Sequence, residues 1–215
     1  GQIKFVNPHM RPLLPCLLFY ACTSLPAPVE KRSRADNNIT PEAVVAAANL
    51  YADPDVSQMD VSYFPPDYPV LKMSGKTTEP PKARVIYSRP HRGGRTIFGN
   101  LLPYNQPWRL GANEATEVEF FSAVRIQGKN IPKGRYILYC IPAATAWELV
   151  FNSNVFTWGL QPDRSKDVAS FTVSVKPAPV PVEFFTIVFR PAAANQAEMI
   201  LAWENVEARL PLSFP

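Results

Sequence analysis

Short runs in which apolar and polar residues alternate recur along the chain from residue 83 onward. In the clearest run, Thr116, Val118 and Phe120 fall on one side of an extended chain, and the two glutamates between them fall on the other. Alternation with a period of two predicts half-buried strands, and Pro, Gly or Asn separates most of the runs from the next. Such runs occupy residues 83–88, 95–98, 116–120, 124–126, 135–141, 147–151, 171–175, 184–189, 199–203 and 208–212.

About eight to ten short strands joined by frequent turns, with no helical periodicity between them, predict an all-β fold. We expect an antiparallel β-sandwich of jelly-roll or Greek-key type over residues 60–215. Trp147 and Trp203 occupy inward positions of their runs, which predicts that both belong to the core. Cys140 also alternates inward, so we expect a small buried hydrophobe there and not a nucleophile.

Residues 1–22 have the pattern of an export signal. Met10 and Arg11 precede a short apolar stretch that ends in Ala21 and Cys22. The stretch is shorter than the ~20 apolar residues that a membrane-spanning helix needs. A small residue before a cysteine resembles a bacterial lipoprotein signal, which predicts lipidation of Cys22 and a periplasmic or envelope-anchored protein. A buried apolar N-terminal segment is the alternative.

Residues 23–59 are predicted to be a linker, because they are polar and contain prolines. A short helix is expected inside the linker, over residues 40–51. Thr40 suits the N-cap, Pro41 suits the first helical position, and the alanines that follow favour helix. The predicted organisation is therefore an export segment, a linker with a short helix, and one β-domain.

Composition excludes several classes of protein and site. Proline accounts for 24 of 215 residues, about twice its ~5% average, which excludes a coiled coil and disfavours a helical bundle. The net charge is +4 and no run of five basic residues occurs, so we expect no nucleic-acid partner. Three cysteines and two histidines give neither a disulfide scaffold nor a His/Cys zinc site, and we expect no metal and no cofactor.

One part of the β-domain carries more polar chemistry than strands and turns require. Arginine forks bind carboxylate, phosphate or sulfate through paired hydrogen bonds. A histidine titrates near neutral pH, and an indole offers a flat apolar face to a ring or sugar. The candidate ligand-binding residues are Arg84, Arg89, His91, Arg95, Trp108, Arg109, Asn113, Glu114 and Trp158.

Several longer motifs of this domain resemble an uncharacterised bacterial family, domain-of-unknown-function family 2911. The motifs read ARVIYSRP, GRTIFG, PWRLGANEATE, PKGRYILYCIP and SKDV, and the resemblance covers residues 60–212. It implies an exported bacterial protein, in agreement with the N-terminal signal. It implies no particular reaction, substrate or cofactor.

Three functional hypotheses follow from these patterns. The first is a binding module that holds a small anionic or sugar-like ligand in an arginine-rich pocket. The second is a structural or interaction lipoprotein of the envelope, and the third is an enzyme that uses His91 or Glu114 as acid or base. Ser88 lacks the G-x-S-x-G context of a serine hydrolase. A salt-bridge network of Arg84, Arg95 and Glu114 is the structural alternative, and the ligand and the oligomeric state stay open.

Overall fold

The computed structural model describes residues 55–215, and the domain formed by them is all-β. The predicted export segment, Cys22 and the predicted helix over residues 40–51 lie outside the described residues. One short α-helix, α1 (Tyr68–Met73), and one 3-10 turn (Arg164–Lys166) accompany nine strands. The strands are β1 (Met59–Phe64), β2 (Ala83–Ser88), β3 (Glu117–Phe120), β4 (Val124–Ile126), β5 (Lys129–Ile131), β6 (Gly134–Pro142), β7 (Ala146–Asn152), β8 (Asp167–Ala193) and β9 (Gln196–Ser213).

The nine strands form one hydrogen-bonded series in the order β1-β2-β3-β6-β7-β8-β9-β4-β5, and neighbouring strands are antiparallel. The prediction of an all-β, antiparallel fold is therefore confirmed. Residues 167–174 of β8 pair with β7, and residues 175–193 pair with β9. The 27-residue β8 therefore pairs with β7 along its first residues and with β9 along the rest. In the described part of the chain, no helix is long and apolar enough to span a membrane.

Strand β8 joins two runs that the sequence pattern separates, residues 171–175 and 184–189. Three prolines, Pro177, Pro179 and Pro181, lie between the runs. Proline removes a backbone donor, yet its fixed φ suits an extended chain. The pairing register with β9 accordingly shifts between Pro177 and Val182, while the backbone stays extended. The prolines therefore interrupt hydrogen bonding without ending the strand.

Contacts from both β1 and the segment after β2 reach the second half of β8. The Ser62 hydroxyl donates to the backbone carbonyl of Ile187 at 2.6 Å. Past the end of β2, the Phe185 N–H donates to the Pro90 carbonyl at 3.0 Å, and the Arg92 N–H donates to the Glu183 carbonyl at 2.7 Å. These three hydrogen bonds hold β1 and the segment after β2 against residues 183–187 of β8.

An aromatic cluster fills the core beside these contacts. The Trp108 ring stacks on Trp203 at 5.8 Å between centroids and meets Trp147 edge-on at 6.1 Å. Phe185 contacts the Trp108 ring at 4.8 Å, and Phe98 completes the cluster. Trp147 and Trp203 are only 1% and 2% exposed, so the prediction that both are core residues is confirmed.

Three elements of the structure differ from the prediction. Strand β1 and helix α1 lie before the first predicted run, which begins at residue 83, and β5 lies between the predicted runs 124–126 and 135–141. Conversely, residues 95–98 form no strand. The backbone N–H groups of Ile97 and Phe98 donate to the Glu204 carboxylate at 3.2 and 3.4 Å. A side chain from β9 therefore supplies the acceptor that a neighbouring strand would otherwise supply.

The Cys140 side chain is fully buried, and burial raises its pKa well above the usual thiol value. We expect the native protein to leave Cys140 unlabelled by iodoacetamide at pH 8, because the thiolate is the reactive form. Peptide mapping by mass spectrometry should detect labelled Cys140 only after denaturant is added. Rapid labelling of Cys140 in the native protein would contradict the burial of its side chain.

Candidate functional site

A cavity of about 730 Å³ opens beside the aromatic cluster, and we call it the arginine cavity. Its walls are mainly apolar and include Leu102, Trp108 and Trp203. Four of the residues predicted from the sequence line this cavity: His91, Arg95, Trp108 and Arg109. The lining also contains Val56, Ser57, Pro90, Gly93, Leu101, Pro107, Gly111, Ala112, Gly159 and Leu160.

Trp108 is held in place by backbone pairing with β6. The Trp108 N–H donates to the Cys140 carbonyl at 2.7 Å, and the Cys140 N–H returns a bond to the Trp108 carbonyl at 2.8 Å. The indole Nε1 donates to the Gly111 carbonyl at 3.3 Å, so the one polar group of the ring is satisfied within the protein. The ring therefore presents an apolar face to the cavity.

Leu110 turns the chain sharply after Arg109. Its φ of +57° lies in the left-handed region that side chains other than glycine rarely adopt. The Leu110 side chain is fully buried, and the Thr116 hydroxyl donates to the Leu110 carbonyl at 2.7 Å. Strained backbone of this kind persists only where surrounding contacts fix it, and it is concentrated at functional sites.

The Arg109 guanidinium is incompletely paired. Its Nη2 donates to the Ala112 carbonyl, while its Nη1 is buried without a hydrogen-bond partner among the described residues. Burial lowers the pKa of Arg109, but arginine keeps its charge in proteins because its ordinary pKa exceeds 12. A buried donor without an acceptor costs about 1–3 kcal/mol.

Ser88 organises the turn that follows Arg109. The buried Ser88 hydroxyl accepts hydrogen bonds from the backbone N–H groups of Ala112 at 2.8 Å and Asn113 at 3.2 Å. A Cβ on Gly111 would lie 2.4 Å from the Ser88 oxygen, so only glycine fits there. The sequence pattern did not predict this role. Alternation places Ser88 on the face of β2 that points away from the core, so no local signal indicated it.

His91 and Arg95 belong to the turn that leads away from β2. The Arg95 side chain donates to the backbone carbonyls of Arg92, at 2.8 Å, and His91. His91 Nε2 lies 2.8 Å from a Glu183 carboxylate oxygen, and the imidazole stacks on Phe184. No carboxylate lies within ion-pair distance of Arg95 or Arg109 in residues 55–215.

Two of the predicted arginines lie outside the arginine cavity because each has its own acidic partner. Arg84 on β2 contacts Glu119 on the paired strand β3 at 2.5 Å. Arg89 contacts Asp60 at 3.1 Å and also donates to the Phe185 carbonyl at 3.2 Å. The arginine cavity thus contains two of the four predicted arginines. Arg84 joins two strands through Glu119, and the alternative network of Arg84, Arg95 and Glu114 does not form among the described residues.

The remaining predicted residues are also separate from the arginine cavity. Asn113 Nδ2 donates to Asp55 at 2.7 Å and to the Ser57 carbonyl at 3.0 Å, which fixes the start of the described chain. Glu114 and Trp158 line a different cavity. His91 and Glu114 therefore share no cavity among those described, and the geometry does not form the acid/base pair of the enzyme hypothesis.

Comparison with known proteins places the chain in a family. Residues 70–212, about two thirds of the chain, match the family model described as "Protein of unknown function (DUF2911)". The chain belongs to the DUF2911 family. The family resemblance inferred from the motifs is thereby confirmed, and the DUF2911 match contains His91, Arg95, Trp108 and Arg109. No curated protein and no solved structure matches the chain.

The DUF2911 domain offers no evident metal centre in the part described. Within residues 55–215, no group of three or more His, Cys, Asp or Glu side chains is arranged to hold a metal ion. The side chains that line the arginine cavity include guanidinium, imidazole and indole groups.

The contact between Gly111 and Ser88 makes a prediction about stability. Ser88→Ala should lower the free energy of unfolding by about 1–3 kcal/mol, because two backbone donors lose their acceptor. Gly111→Ala should also destabilise the protein, since the added methyl meets the Ser88 oxygen. Chemical denaturation of both single variants and the double variant gives the coupling between them.

The double variant should be less destabilised than the sum of the two single variants, because Ser88→Ala removes the oxygen that the methyl would meet. Ser122→Ala is the matched control, since the exposed Ser122 hydroxyl has only one bond, at 3.5 Å. Strictly additive effects would show that Gly111 and Ser88 do not act on each other.

Proposed function

We propose that this DUF2911 protein is an exported binding protein that holds a small anionic ligand in the arginine cavity. The observation that carries the proposal is that Arg109 lines this cavity and has no carboxylate within ion-pair distance among residues 55–215. Arg95 adds a second guanidinium to a lining that contains no carboxylate. Two cationic groups without neutralising partners favour an anion.

The apolar walls define the rest of the ligand. The cavity volume of about 730 Å³ lies within the ~300–1,000 Å³ typical of small-molecule sites. Trp108 and Trp203 form one side, and Leu101, Leu102 and Leu160 contribute aliphatic surface. We therefore expect a ligand with one anionic group and an apolar body, such as an aromatic carboxylate, because apolar contact and one charge-assisted bond then act together.

We also propose that the antiparallel strands form the β-sandwich expected from the sequence. Support comes from packing between the first strand and the far end of the chain: Phe64 of β1 contacts Phe189 of β8 at 6.4 Å and Phe214 at 5.2 Å between ring centroids. A core between two layers follows from this interpretation. Export through residues 1–22, lipidation of Cys22 and a periplasmic or envelope-anchored location stay predictions, to be tested by mass spectrometry of the membrane-bound protein.

Isothermal titration calorimetry of the full chain with benzoate, indole-3-acetate and inorganic phosphate tests the binding proposal. We expect the aromatic carboxylates to bind more tightly than phosphate, because only they fill the apolar part of the cavity. Arg109→Met should weaken carboxylate binding at least ten-fold, which corresponds to the loss of one charge-assisted hydrogen bond.

Thermal denaturation separates binding from folding in the same variants. Arg109→Met should melt close to the wild-type temperature, because the loss of the hydrogen bond to the Ala112 carbonyl is offset by the removal of a buried donor that lacks a partner. Arg190→Met is the control, because Arg190 is exposed and forms no ion pair among the described residues. The proposal fails if no carboxylate binds, or if Arg190→Met weakens binding as much as Arg109→Met.

A further inference from the structure

We propose that a second cavity, on the opposite side of the sheet, binds a neutral carbohydrate. This loop cavity has a volume of about 530 Å³ and lies beneath the segment of residues 155–158. Its polar groups come from Glu114, Glu117 and Arg135, and its aromatic groups come from Phe156 and Trp158. The site is distinct from the arginine cavity in its lining and in its charge.

The floor of the loop cavity is a row of side chains across three strands. Ile86 on β2 pairs with Glu117 on β3, and Glu117 pairs with Ile137 on β6. Ile86 and Ile137 alternate with core residues of the same strands, so the row belongs to the face that points away from the core. The loop cavity therefore lies outside the sheet, whereas the arginine cavity borders the aromatic core.

The loop that covers this floor is fixed by its own hydrogen bonds. At its base, Asn152 Nδ2 donates to the Asp163 carbonyl at 2.8 Å, and the Ser153 N–H donates to the Lys166 carbonyl at 2.9 Å. Gly159, with φ +83°, packs so closely that an added Cβ would lie 2.8 Å from Ala115 Cβ. A loop held at both ends presents its side chains with little entropy left to lose on binding.

Two aromatic side chains of this fixed loop are exposed to solvent. Phe156 is 96% exposed and Trp158 is 55% exposed, whereas Trp108, Trp147 and Trp203 are at most 6% exposed. Exposed aromatic rings on an ordered loop favour a ligand that presents a flat C–H surface. One face of a pyranose ring is such a surface, and it gains dispersion and hydrophobic contact on an indole.

The polar groups beside the aromatic rings form a mixed set of donors and acceptors. The Arg135 guanidinium makes two hydrogen bonds to the Glu117 carboxylate, through Nε at 3.0 Å and through Nη2. The exposed Glu114 carboxylate has no ion pair among residues 55–215. Sugar hydroxyls both donate and accept, so they can use carboxylate and guanidinium groups together.

The charge of the loop cavity argues against the other small-ligand classes. Glu114, Glu117 and Arg135 sum to about −1, because Arg135 neutralises only one of the two carboxylates, so an anion is repelled. An organic cation would gain from Glu114 and the aromatic faces, but it would meet the Arg135 guanidinium. A neutral polyol is the ligand that suits all three groups at once.

Calorimetry on the full chain with cellohexaose, maltohexaose and hexa-N-acetylchitohexaose, all neutral, tests the proposal. We expect at least one of these oligosaccharides to bind, with an affinity that changes less than two-fold between 0.05 and 0.5 M NaCl, because a neutral ligand is not screened. Trp158→Ala should weaken this binding at least ten-fold. Trp158→Phe should retain binding within about three-fold, since a ring is still available for stacking.

Controls separate this site from general surface effects and from the arginine cavity. Met73→Ala removes an exposed apolar side chain on α1, which is 84% exposed, and should leave saccharide binding unchanged. Saturating indole-3-acetate should leave it unchanged as well, whether or not that carboxylate binds. Glu114→Gln keeps an acceptor and should reduce saccharide affinity only a few-fold.

Several results would overturn the proposal. One is the absence of binding by all three oligosaccharides. Another is binding of tetramethylammonium that falls with salt and is abolished by Glu114→Gln, which would make the loop cavity a cation site. A third is concentration-dependent self-association of the wild-type chain that Trp158→Ala abolishes, which would assign the exposed rings to a protein interface.

Discussion

The backbone pairing of Trp108 with Cys140 is the constraint on which the candidate site depends. It fixes the segment around Trp108 against β6, although this segment belongs to no strand. Because Trp108 is held there, its ring enters the aromatic cluster, and Arg109 must follow at the border of the cavity. Ser88 then secures the other end of the turn by accepting two backbone bonds. Without these backbone hydrogen bonds at Trp108 and Ser88, the Arg109 guanidinium would not be held in its buried position.

Two arginines on strands stabilise the fold through carboxylate partners, whereas two in connecting segments line the arginine cavity without one. Arg84 and Arg135 lie on strands, and each meets a glutamate on a neighbouring strand. Arg95 and Arg109 lie in connecting segments, where the nearest acceptors are backbone carbonyls. A carbonyl accepts a bond but does not neutralise a charge. Both guanidinium charges therefore lack a carboxylate partner among residues 55–215.

The segment of residues 153–163 connects the two cavities of the domain. Gly159 and Leu160 border the arginine cavity, and the aromatic residues just before them border the loop cavity. Gly159 packs against both Ala115 and Arg109, with an added Cβ lying 2.8 and 3.0 Å from their Cβ atoms. The same backbone contact thus positions an arginine on one side and fixes the exposed rings on the other.

The sequence by itself determined most of the strands and the burial of Trp147, Trp203 and Cys140, because alternation with a period of two is a local property of the chain. Its longer motifs indicated the family. Local pattern also indicated the region rich in arginine. Only the tertiary structure decided which arginines are paired, since Glu119, Asp60 and the carbonyls that meet them depend on strand register and on contacts distant in sequence. The joining of runs into β8 and the role of Ser88 were likewise decided there, because both depend on hydrogen-bond partners that no local pattern reveals.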